Sequence, residues 1–356
     1  MTKALLAALA LALAAPVGGS AQAPRPIATT APVQYRIRPG DTLPKLATYL
    51  ATPGAAAEIA RANGIADPDR LTPGMTLTIP IGLLRTEELA AKVIAFRGDV
   101  RIGRQGTARL GMVFGEGVRI ATGGNSSVSF QLADGTAVTL PSLSTIRIVR
   151  LRRVLLTNKV QRILALETGR SESQVTPSKD GATSFEIRTP VSVAAVRGTD
   201  FRVAYSEEEK ASTQETLKGA VGVVGTDGEV ATVAGFGVRS DPQSTGQPIA
   251  LLPPPEVLSP VGHRRDGTLI FTFAKMEEAV AYRIVLSGDP EFHDLKTETT
   301  TRTQQAVVPA LPSGTYYIRA TAIDVHGLEG LSVDYPYDHH IAFSARDDDG
   351  PPRSGG

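Results

Sequence analysis

Apolar and polar residues alternate with a period of two in short segments over most of the chain, and turn residues separate these segments. Between residues 93 and 240 the segments include 127–132, 137–140 and 145–149. Alternation of this kind is typical of half-buried strands. Asp-Gly pairs such as Asp134-Gly135 favour two-residue hairpin turns, in which the backbone φ is positive. The pattern therefore predicts a continuous all-β domain over residues 93–240.

Near the N-terminus, helical spacing interrupts the alternation. Residues 34–37 and 75–79 alternate as strands do, whereas 43–50 and 55–62 carry apolar residues at helical spacing, with Pro53-Gly54 between them. The predicted order is strand, helix, helix, strand, in a small module over residues 33–82. In the connector that follows, Thr86 with Glu87 and Glu88 has the composition of a capped first helical turn, which predicts a short helix there.

The C-terminal part begins after a proline-rich segment at residues 241–256, which predicts a semi-rigid linker. Residues 257–345 then carry alternating segments with the rhythm of a β-sandwich. These segments are 269–273, 281–286, 305–308 and 316–322. The tail at 346–356 is charged and lacks apolar residues, which predicts disorder. The chain is thus expected to be a mainly β multidomain protein.

Amino-acid composition limits the partners and the reactions that can be expected of this chain. The chain of 356 residues has 37 Lys and Arg against 36 Asp and Glu, a net charge of +1, which gives no reason to expect a nucleic-acid partner. The sequence has no cysteine, which excludes a disulfide framework and a thiol nucleophile. All five histidines lie at or beyond residue 263, and none has the spacing of a metalloprotease site. We therefore expect no enzyme activity, no cofactor and no metal.

Residues 1–21 have the pattern of a secretory signal peptide. Lys3 precedes the apolar run 4–15, and the small residues Gly19-Ser20-Ala21 offer a cleavage site. The run is too short to span a bilayer. We expect a mature chain that starts near Gln22, has no transmembrane segment, and is exported to the periplasm or the cell wall.

The N-terminal module resembles a LysM domain. The resemblance rests on the string from Tyr35 to Leu43 (YRIRPGDTL), on Asn63, and on the string from Leu71 to Pro80 (LTPGMTLTIP). LysM domains bind N-acetylglucosamine polymers between two loops, so the resemblance implies peptidoglycan as a partner. Carried over to this chain, the glycan-binding residues are Gly40, Asp41, Thr42 and Leu43 on one wall and Asn63, Gly64, Ile65 and Leu71 on the other. The alternative for each residue is structural: Asp41 and Thr42 cap a helix, and Leu43 and Ile65 belong to the core.

The middle domain resembles the FecR family. The motifs are Gly117-Val-Arg-Ile-Ala-Thr-Gly, the string from Ser126 (SSVSFQLADG), and the string from Thr189 to Val203 (TPVSVAAVRGTDFRV). The resemblance implies an all-β solenoid or wrapped sandwich, in a family whose members relay envelope signals. The last string predicts a tight turn at Gly198 with Arg197 and Asp200 close together. The pair is either a structural salt bridge or a docking point for a partner.

A basic run follows in the same domain. Arg147, Arg150, Arg152 and Arg153, with Lys159 and Arg162, place six cations within seventeen residues. Alternation puts much of this charge on one strand face. The face either meets anionic polymers or lipid head groups, or forms a solvated edge that discourages strand pairing.

The C-terminal domain resembles fibronectin type III modules, through residues such as Ala281-Tyr282-Arg-Ile and Gly314-Thr-Tyr316-Tyr-Ile-Arg. Phe273 stands where that family usually has a core tryptophan. The expected function of the whole chain is non-catalytic attachment to peptidoglycan, with the β domains presented to the envelope. The alternative is a periplasmic signalling or assembly factor whose FecR-like domain binds a protein partner, while LysM only localises it.

Overall fold

The computed structural model describes residues 32–177, 184–196, 198–264 and 266–340. The predicted signal peptide, the tail at 346–356 and Arg197 lie outside the described residues. The helices are α1 (Leu43–Leu46) and α2 (Ala55–Ala62), with short 3₁₀ turns at Ala47–Tyr49, Ile81–Leu83 and Gly103–Gln105. The strands of the N-terminal and middle regions are β1 (Val33–Arg36), β2 (Thr76–Ile79), β3 (Thr86–Glu88), β4 (Ala91–Arg97), β5 (Val100–Ile102), β6 (Val113–Phe114), β7 (Arg119–Thr122), β8 (Ser127–Leu132), β9 (Ala137–Leu140), β10 (Thr145–Val154), β11 (Val160–Gln174), β12 (Ser184–Arg188), β13 (Val193–Val196), β14 (Asp200–Ser206), β15 (Ala211–Lys218), β16 (Ala220–Gly225), β17 (Gly228–Val233), β18 (Phe236–Ser240) and β19 (Ile249–Ala250). Those of the C-terminal region are β20 (Val257–His263), β21 (Leu269–Phe273), β22 (Ala281–Ser287), β23 (Leu295–Thr301), β24 (Gln305–Val308), β25 (Gly314–Ile323) and β26 (Val333–His339).

The N-terminal module has the predicted strand, helix, helix, strand order. β1 and β2 pair antiparallel, with Val33 opposite Ile79, and the two helices lie between them in the chain. Leu43 and Leu46 of α1 and Ile59 of α2 are buried together with the inward residues of the two strands. The alternation in the strands and the helical spacing between them therefore point into one core.

The middle region is one hydrogen-bonded network of strands β3 to β19 around one core. The long strand β11 connects its two layers. The first part of β11 pairs with β10 and with β12, and its second part pairs with β14 and β9. Gly169 stands where the pairing changes, with φ +82, and a Cβ there would lie 2.5 Å from the carbonyl oxygen of Leu143. Only glycine fits this position without displacing the neighbouring backbone.

The helical start predicted for residues 86–96 is wrong. Thr86–Glu88 is strand β3, and it pairs with Val154 to Arg152 at the end of β10. Glu87 also accepts a hydrogen bond from Arg153 at 3.2 Å. The local capping signal is overridden because these residues complete the edge of a sheet, and local propensity gives way to such tertiary pairing.

The basic run lies on β10, in the turn after it and at the start of β11. β10 is not a free edge, because it pairs with β3, β7 and β11. Carboxylates from the neighbouring strand β11 and from the turns at Glu116 and Asp134 pair with several of its cations. Arg147 bonds Glu167 at 3.2 Å, Arg152 bonds Glu116, and the buried Arg162 bonds Asp134. Burial lowers the pKa of Arg162 to about 10. These ion pairs give the run a structural role that neither of the two sequence interpretations contained.

The C-terminal domain has two sheets that face a shared core. One sheet has the order β20-β21-β24 and the other β23-β22-β25-β26. Phe271, Phe273 and Ile284 are among the residues buried between them, and Phe273 stacks on Tyr282 with ring centroids 4.7 Å apart. The inward positions follow the predicted alternation.

The segment at 241–256 lies against both of its neighbours. Within it, β19 pairs with β18 of the middle region, and the Leu251 amide donates to the carbonyl of Gly235. Leu252 packs on the core of the C-terminal domain, and its carbonyl accepts a bond from the Leu331 amide at 2.9 Å. These contacts join the middle and C-terminal domains along the connecting chain.

Candidate functional site

The loop between β1 and α1 takes its shape from Asp41. Its Oδ2 accepts hydrogen bonds from the Tyr35 hydroxyl and from the Arg38 amide, both at 2.8 Å. Burial, together with this contact to Asp41, raises the pKa of Tyr35. The neighbouring Thr42 caps α1, since its Oγ1 accepts from the Lys45 amide at 3.3 Å. The side chains of Asp41 and Thr42 thus stabilise the loop that carries Gly40.

Two of the predicted glycan-binding side chains lie in the core. Leu43 is 1% exposed and Leu71 is 9% exposed, so both contribute packing to the module. The backbone of Leu43 has a further role, because its amide donates to the carbonyl of Pro68 at 3.0 Å. This bond places the β1–α1 loop directly beside the loop between α2 and β2.

The second predicted wall is held in a similar way. The Asn63 amide group donates to the carbonyls of Ile59 and Thr78, and its oxygen accepts from the Thr78 amide at 2.8 Å. Asn63 therefore ties the end of α2 to β2. Gly64 follows with φ +65, and the Ile65 amide returns to the carbonyl of Ala60 at 2.9 Å. This is the geometry that ends a helix through a left-handed residue.

The two glycines leave the loops open to solvent. Gly40 has φ +85 and Gly64 has φ +65, and a Cβ built at either position meets no atom within 4 Å. Asp41, Thr42, Asn63 and Ile65 beside them are partly exposed. The arrangement offers exposed backbone and short polar groups on two adjoining, internally braced loops. A polymer rich in hydroxyl and N-acetyl groups can approach such a surface closely.

The turn predicted at Gly198 is present. Gly198 has φ +79, and a Cβ there would lie 2.5 Å from Cα of Pro177. Asp200 follows at the start of β14, opposite Lys218 of β15, and burial raises its pKa despite the nearby cation. Because Arg197 lies outside the described residues, the predicted pair of Arg197 and Asp200 stays a prediction.

A buried ionic cluster joins the middle and C-terminal domains, and the sequence analysis missed it. Glu329 is 1% exposed and its carboxylate meets Arg202 and Arg283, each at 3.1 Å, and Arg170 at 3.2 Å. Arg202 also donates to the carbonyl oxygen of Glu329 at 2.6 Å and to that of Gly330 at 2.7 Å. Although burial acts to raise it, these guanidinium groups hold the pKa of Glu329 well below its usual value.

Sequence reasoning missed the cluster because its members look like surface residues. Arg202 stands between Phe201 and Val203 in β14, and period-two alternation assigns it to the face turned away from the core of the middle domain. That face is covered by the C-terminal domain, so Arg202 is only 1% exposed. In the sequence, only the position of Arg202 between two core residues hints at a buried cation, and this position does not identify the carboxylate that pairs with it.

Further hydrogen bonds extend this interface. Ser129 Oγ donates to the carbonyl of His293 at 2.6 Å, and the Ser142 amide donates to Glu298 at 2.7 Å. Gln174 donates to the carbonyl of Glu291 at 2.9 Å. An open cleft of about 570 Å³ lies beside these contacts, lined by both domains. The exposed Leu143, with φ +56, lines its wall.

Metal-ligand clusters and membrane-spanning helices were both sought in the described residues. Within the four described ranges, no cluster of three or more His, Asp or Glu residues has the arrangement of a metal site. In the same part of the chain, no helix has both the length and the apolar composition that crossing a membrane requires.

Solved structures similar to this chain include a candidate anti-sigma factor from Parabacteroides distasonis. The identity is 19% over 37% of this chain and 57% of that one, with a TM-score of 0.31. The glycoside hydrolase domain of Endo-D from Streptococcus pneumoniae matches at 10% identity over 71% of this chain and 37% of that one, with a TM-score of 0.20. This chain thus spans less than two thirds of either protein, and TM-scores this low do not establish a shared overall fold.

Comparison with protein families is more specific. No curated protein sequence matches the chain. Residues 35–80 match the LysM domain family, and residues 118–222 match the family described as FecR protein. The chain therefore contains a LysM domain, whose loops are those described above, followed by a FecR domain.

Proposed function

We propose that this is an exported, non-catalytic protein of the cell envelope that binds the N-acetylglucosamine glycan of peptidoglycan through its LysM domain. The observation that carries the proposal is the LysM match over residues 35–80, together with the open backbone at Gly40 and Gly64. LysM and FecR domains are binding or signalling domains, which supports a role without catalysis. The proposed location is the periplasm or the cell wall.

In this proposal the predicted residues divide their roles. Gly40 and Gly64 let the backbone approach the sugar, and Thr42 and Ile65 contact it with their partly exposed side chains. Asp41 and Asn63 act mainly by bracing the two loops, since their side chains already make the hydrogen bonds described above. Leu43 and Leu71 support the loops from the core.

The experiment is co-sedimentation of the mature protein with purified peptidoglycan sacculi. Gly40→Asn and Gly64→Asn add a side chain at the loop surface, and asparagine tolerates positive φ better than most residues. Gly111→Asn is the matched control, because Gly111 also has positive φ and free space, but lies in the middle domain. We expect wild type and Gly111→Asn to be retained and the two loop variants to be retained less. A folded wild-type protein that stays in the supernatant would refute the proposal.

The remainder of the chain would be presented from the wall as one unit. We propose that the C-terminal domain is a fibronectin type III-like sandwich, which its pairing of a three-stranded with a four-stranded sheet supports. The buried cluster around Glu329 fixes this domain against the FecR domain. Its proposed role is therefore to complete the FecR surface.

A second candidate function is signalling or assembly, in which the FecR domain binds an envelope protein and LysM only localises it. The open cleft between the FecR and C-terminal domains favours this reading, because Leu143 exposes 69% of its surface there in a left-handed conformation. Complementation of a deletion strain separates the two functions. Failure of Leu143→Asp alone would favour the protein partner, and failure of Gly40→Asn alone would favour wall attachment.

A further inference from the structure

A second cleft lies where the LysM and FecR domains meet. It has a volume of about 570 Å³, and it is lined on one side by the LysM segments 35–39 and 73–74. Leu156 and Thr157, in the turn between β10 and β11 of the FecR domain, line the other side. Pro39 is the residue before Gly40, so the cleft adjoins the loop proposed to bind glycan.

The FecR wall of this cleft is rigidly attached to the LysM domain. Val154 is 1% exposed and belongs to the LysM core, and Leu156 packs against that core. The Leu155 amide donates to the carbonyl of Arg85 at 3.1 Å, next to the pairing of β3 with β10. Because these contacts fix the turn, the cleft is a built feature of the two domains together.

The LysM wall of the cleft is cationic. Arg36 and Arg38 are exposed, and the Arg36 guanidinium reaches over Gly74. In the described part of the chain, no carboxylate lies within 4.0 Å of either guanidinium group. The nearest acidic side chain in the sequence, Asp41, is engaged by Tyr35 and by the Arg38 amide. On other strands of this protein, exposed arginines form ion pairs with carboxylates, as Arg153 does with Glu87.

We infer that this cleft binds the free carboxylates of a peptidoglycan stem peptide, while the glycan strand lies on the adjoining Gly40 loop. The inference rests on the proposed function. A stem peptide branches from the muramic acid of the same strand and carries carboxylates that guanidinium groups bind well. The FecR domain thereby contributes Leu156 and Thr157 to wall recognition. The proposed ligand class is the peptide-bearing muramic acid unit and not bare glycan.

The test compares two forms of the wall polymer. Glycan strands that keep their stem peptides, released from sacculi by an endopeptidase that cuts the cross-links, and strands stripped of their peptides by an N-acetylmuramoyl-L-alanine amidase are each titrated with the full mature protein. The amidase leaves one lactyl carboxylate on each muramic acid, so the two polymers differ in the carboxylates of the peptide itself. The variants are the double substitution Arg36→Gln with Arg38→Gln and, from the FecR side, Thr157→Glu. The matched control is Arg104→Gln with Arg109→Gln, two exposed arginines outside the cleft. Thermal unfolding of each variant verifies that it is folded.

We expect wild type and the control to bind peptide-bearing strands about threefold to tenfold more tightly than stripped strands, as two exposed charge contacts allow. Both cleft variants should bind the two polymers with equal affinity, at the wild-type level for stripped glycan. The difference should also shrink in high salt. Cleft variants that bind peptide-bearing strands like wild type, or that lose affinity equally on both polymers, would overturn the inference and leave glycan binding standing. Absence of wild-type binding to both polymers would refute the proposed function itself.

Discussion

Neutralising Glu329 is the sharpest test of how the FecR and C-terminal domains are joined. Its carboxylate is 1% exposed and accepts from Thr321 at 2.8 Å, besides meeting the guanidinium groups of Arg202, Arg283 and Arg170. In Glu329→Gln these cations lose their shared counter-charge without a change of side-chain size. The perturbation is therefore electrostatic and leaves the packing volume intact.

The magnitude follows from what remains around each cation. Arg283 keeps Glu298 at 2.5 Å, whereas Arg202, also 1% exposed, keeps only Glu215 at 3.7 Å. Removing one partner of a buried pair costs about 3–5 kcal/mol, since it leaves an uncompensated charge away from water. Partial compensation of Arg283 places the expectation near the lower end, about 3 kcal/mol. For a body of this size that corresponds to a fall in Tm of roughly 6–12 °C.

Differential scanning calorimetry at neutral pH measures this effect. We expect a single transition for the joined FecR and C-terminal domains in wild type, and a lower Tm in Glu329→Gln. Glu277→Gln is the matched control: its partner Lys275 lies at 2.7 Å, but both side chains are exposed, so Tm should hardly change. The reasoning would be refuted by an unchanged Tm in Glu329→Gln. A wild-type protein whose C-terminal domain melts separately from the FecR domain would refute the joined body.

Further predictions concern the same cluster and the fixed turns. Glu215→Gln should cost less than Glu329→Gln in urea unfolding, because burial raises the pKa of Glu215 and already disfavours its charged form. The pKa of Glu329 is depressed in the folded protein, so its carboxylate stabilises the fold at every pH above 4.5, the usual pKa, and this stabilisation is lost as the pH falls further. The decrease of Tm on acidification should therefore be shallower in Glu329→Gln than in wild type. Gly169→Ala should destabilise by about 2–4 kcal/mol, through its close approach to Leu143 and its positive φ, whereas Gly111→Ala, with open space, should cost about 1 kcal/mol in the same measurement. Val154→Ala should lower the free energy of unfolding by roughly 2 kcal/mol and speed amide hydrogen exchange within residues 33–79, although Val154 belongs to the FecR domain. Unchanged exchange in residues 33–79 would contradict the place of Val154 in the LysM core.

Much of the secondary structure could be predicted from periodicity. The predicted spans 127–132, 137–140, 269–273 and 305–308 are those of β8, β9, β21 and β24. In β21 and β24 one face is buried and the other is partly or fully exposed, so local pattern and tertiary environment agree. In β8 the core face follows the same alternation, although Ser129 on the opposite face is buried against the C-terminal domain. The helix α2 likewise has the predicted bounds, because Pro53-Gly54 and Asn63-Gly64 delimit it.

The rest depended on contacts between distant parts of the chain. Thr86–Glu88 is a strand because the end of β10 pairs with it. Nothing in the sequence around residue 86 indicates this pairing. The Glu329 cluster draws on the strands that carry Arg170, Arg202 and Arg283, which alternation treats as solvent-facing. The LysM loops were identified from their motif, but the division between bracing side chains such as Asp41 and open backbone such as Gly40 required the hydrogen bonds.

The insertion of Val154 and Leu156 into the LysM core has a mechanical consequence. β3 starts within a few residues of the end of β2 and forms backbone hydrogen bonds with β10. No flexible linker therefore separates the LysM and FecR domains. A force applied to the LysM loops is therefore transmitted directly to the FecR sheet. If the protein attaches to peptidoglycan through its LysM loops, as proposed, the fold itself sets the distance and orientation of the FecR surface relative to the glycan, and no flexible linker does.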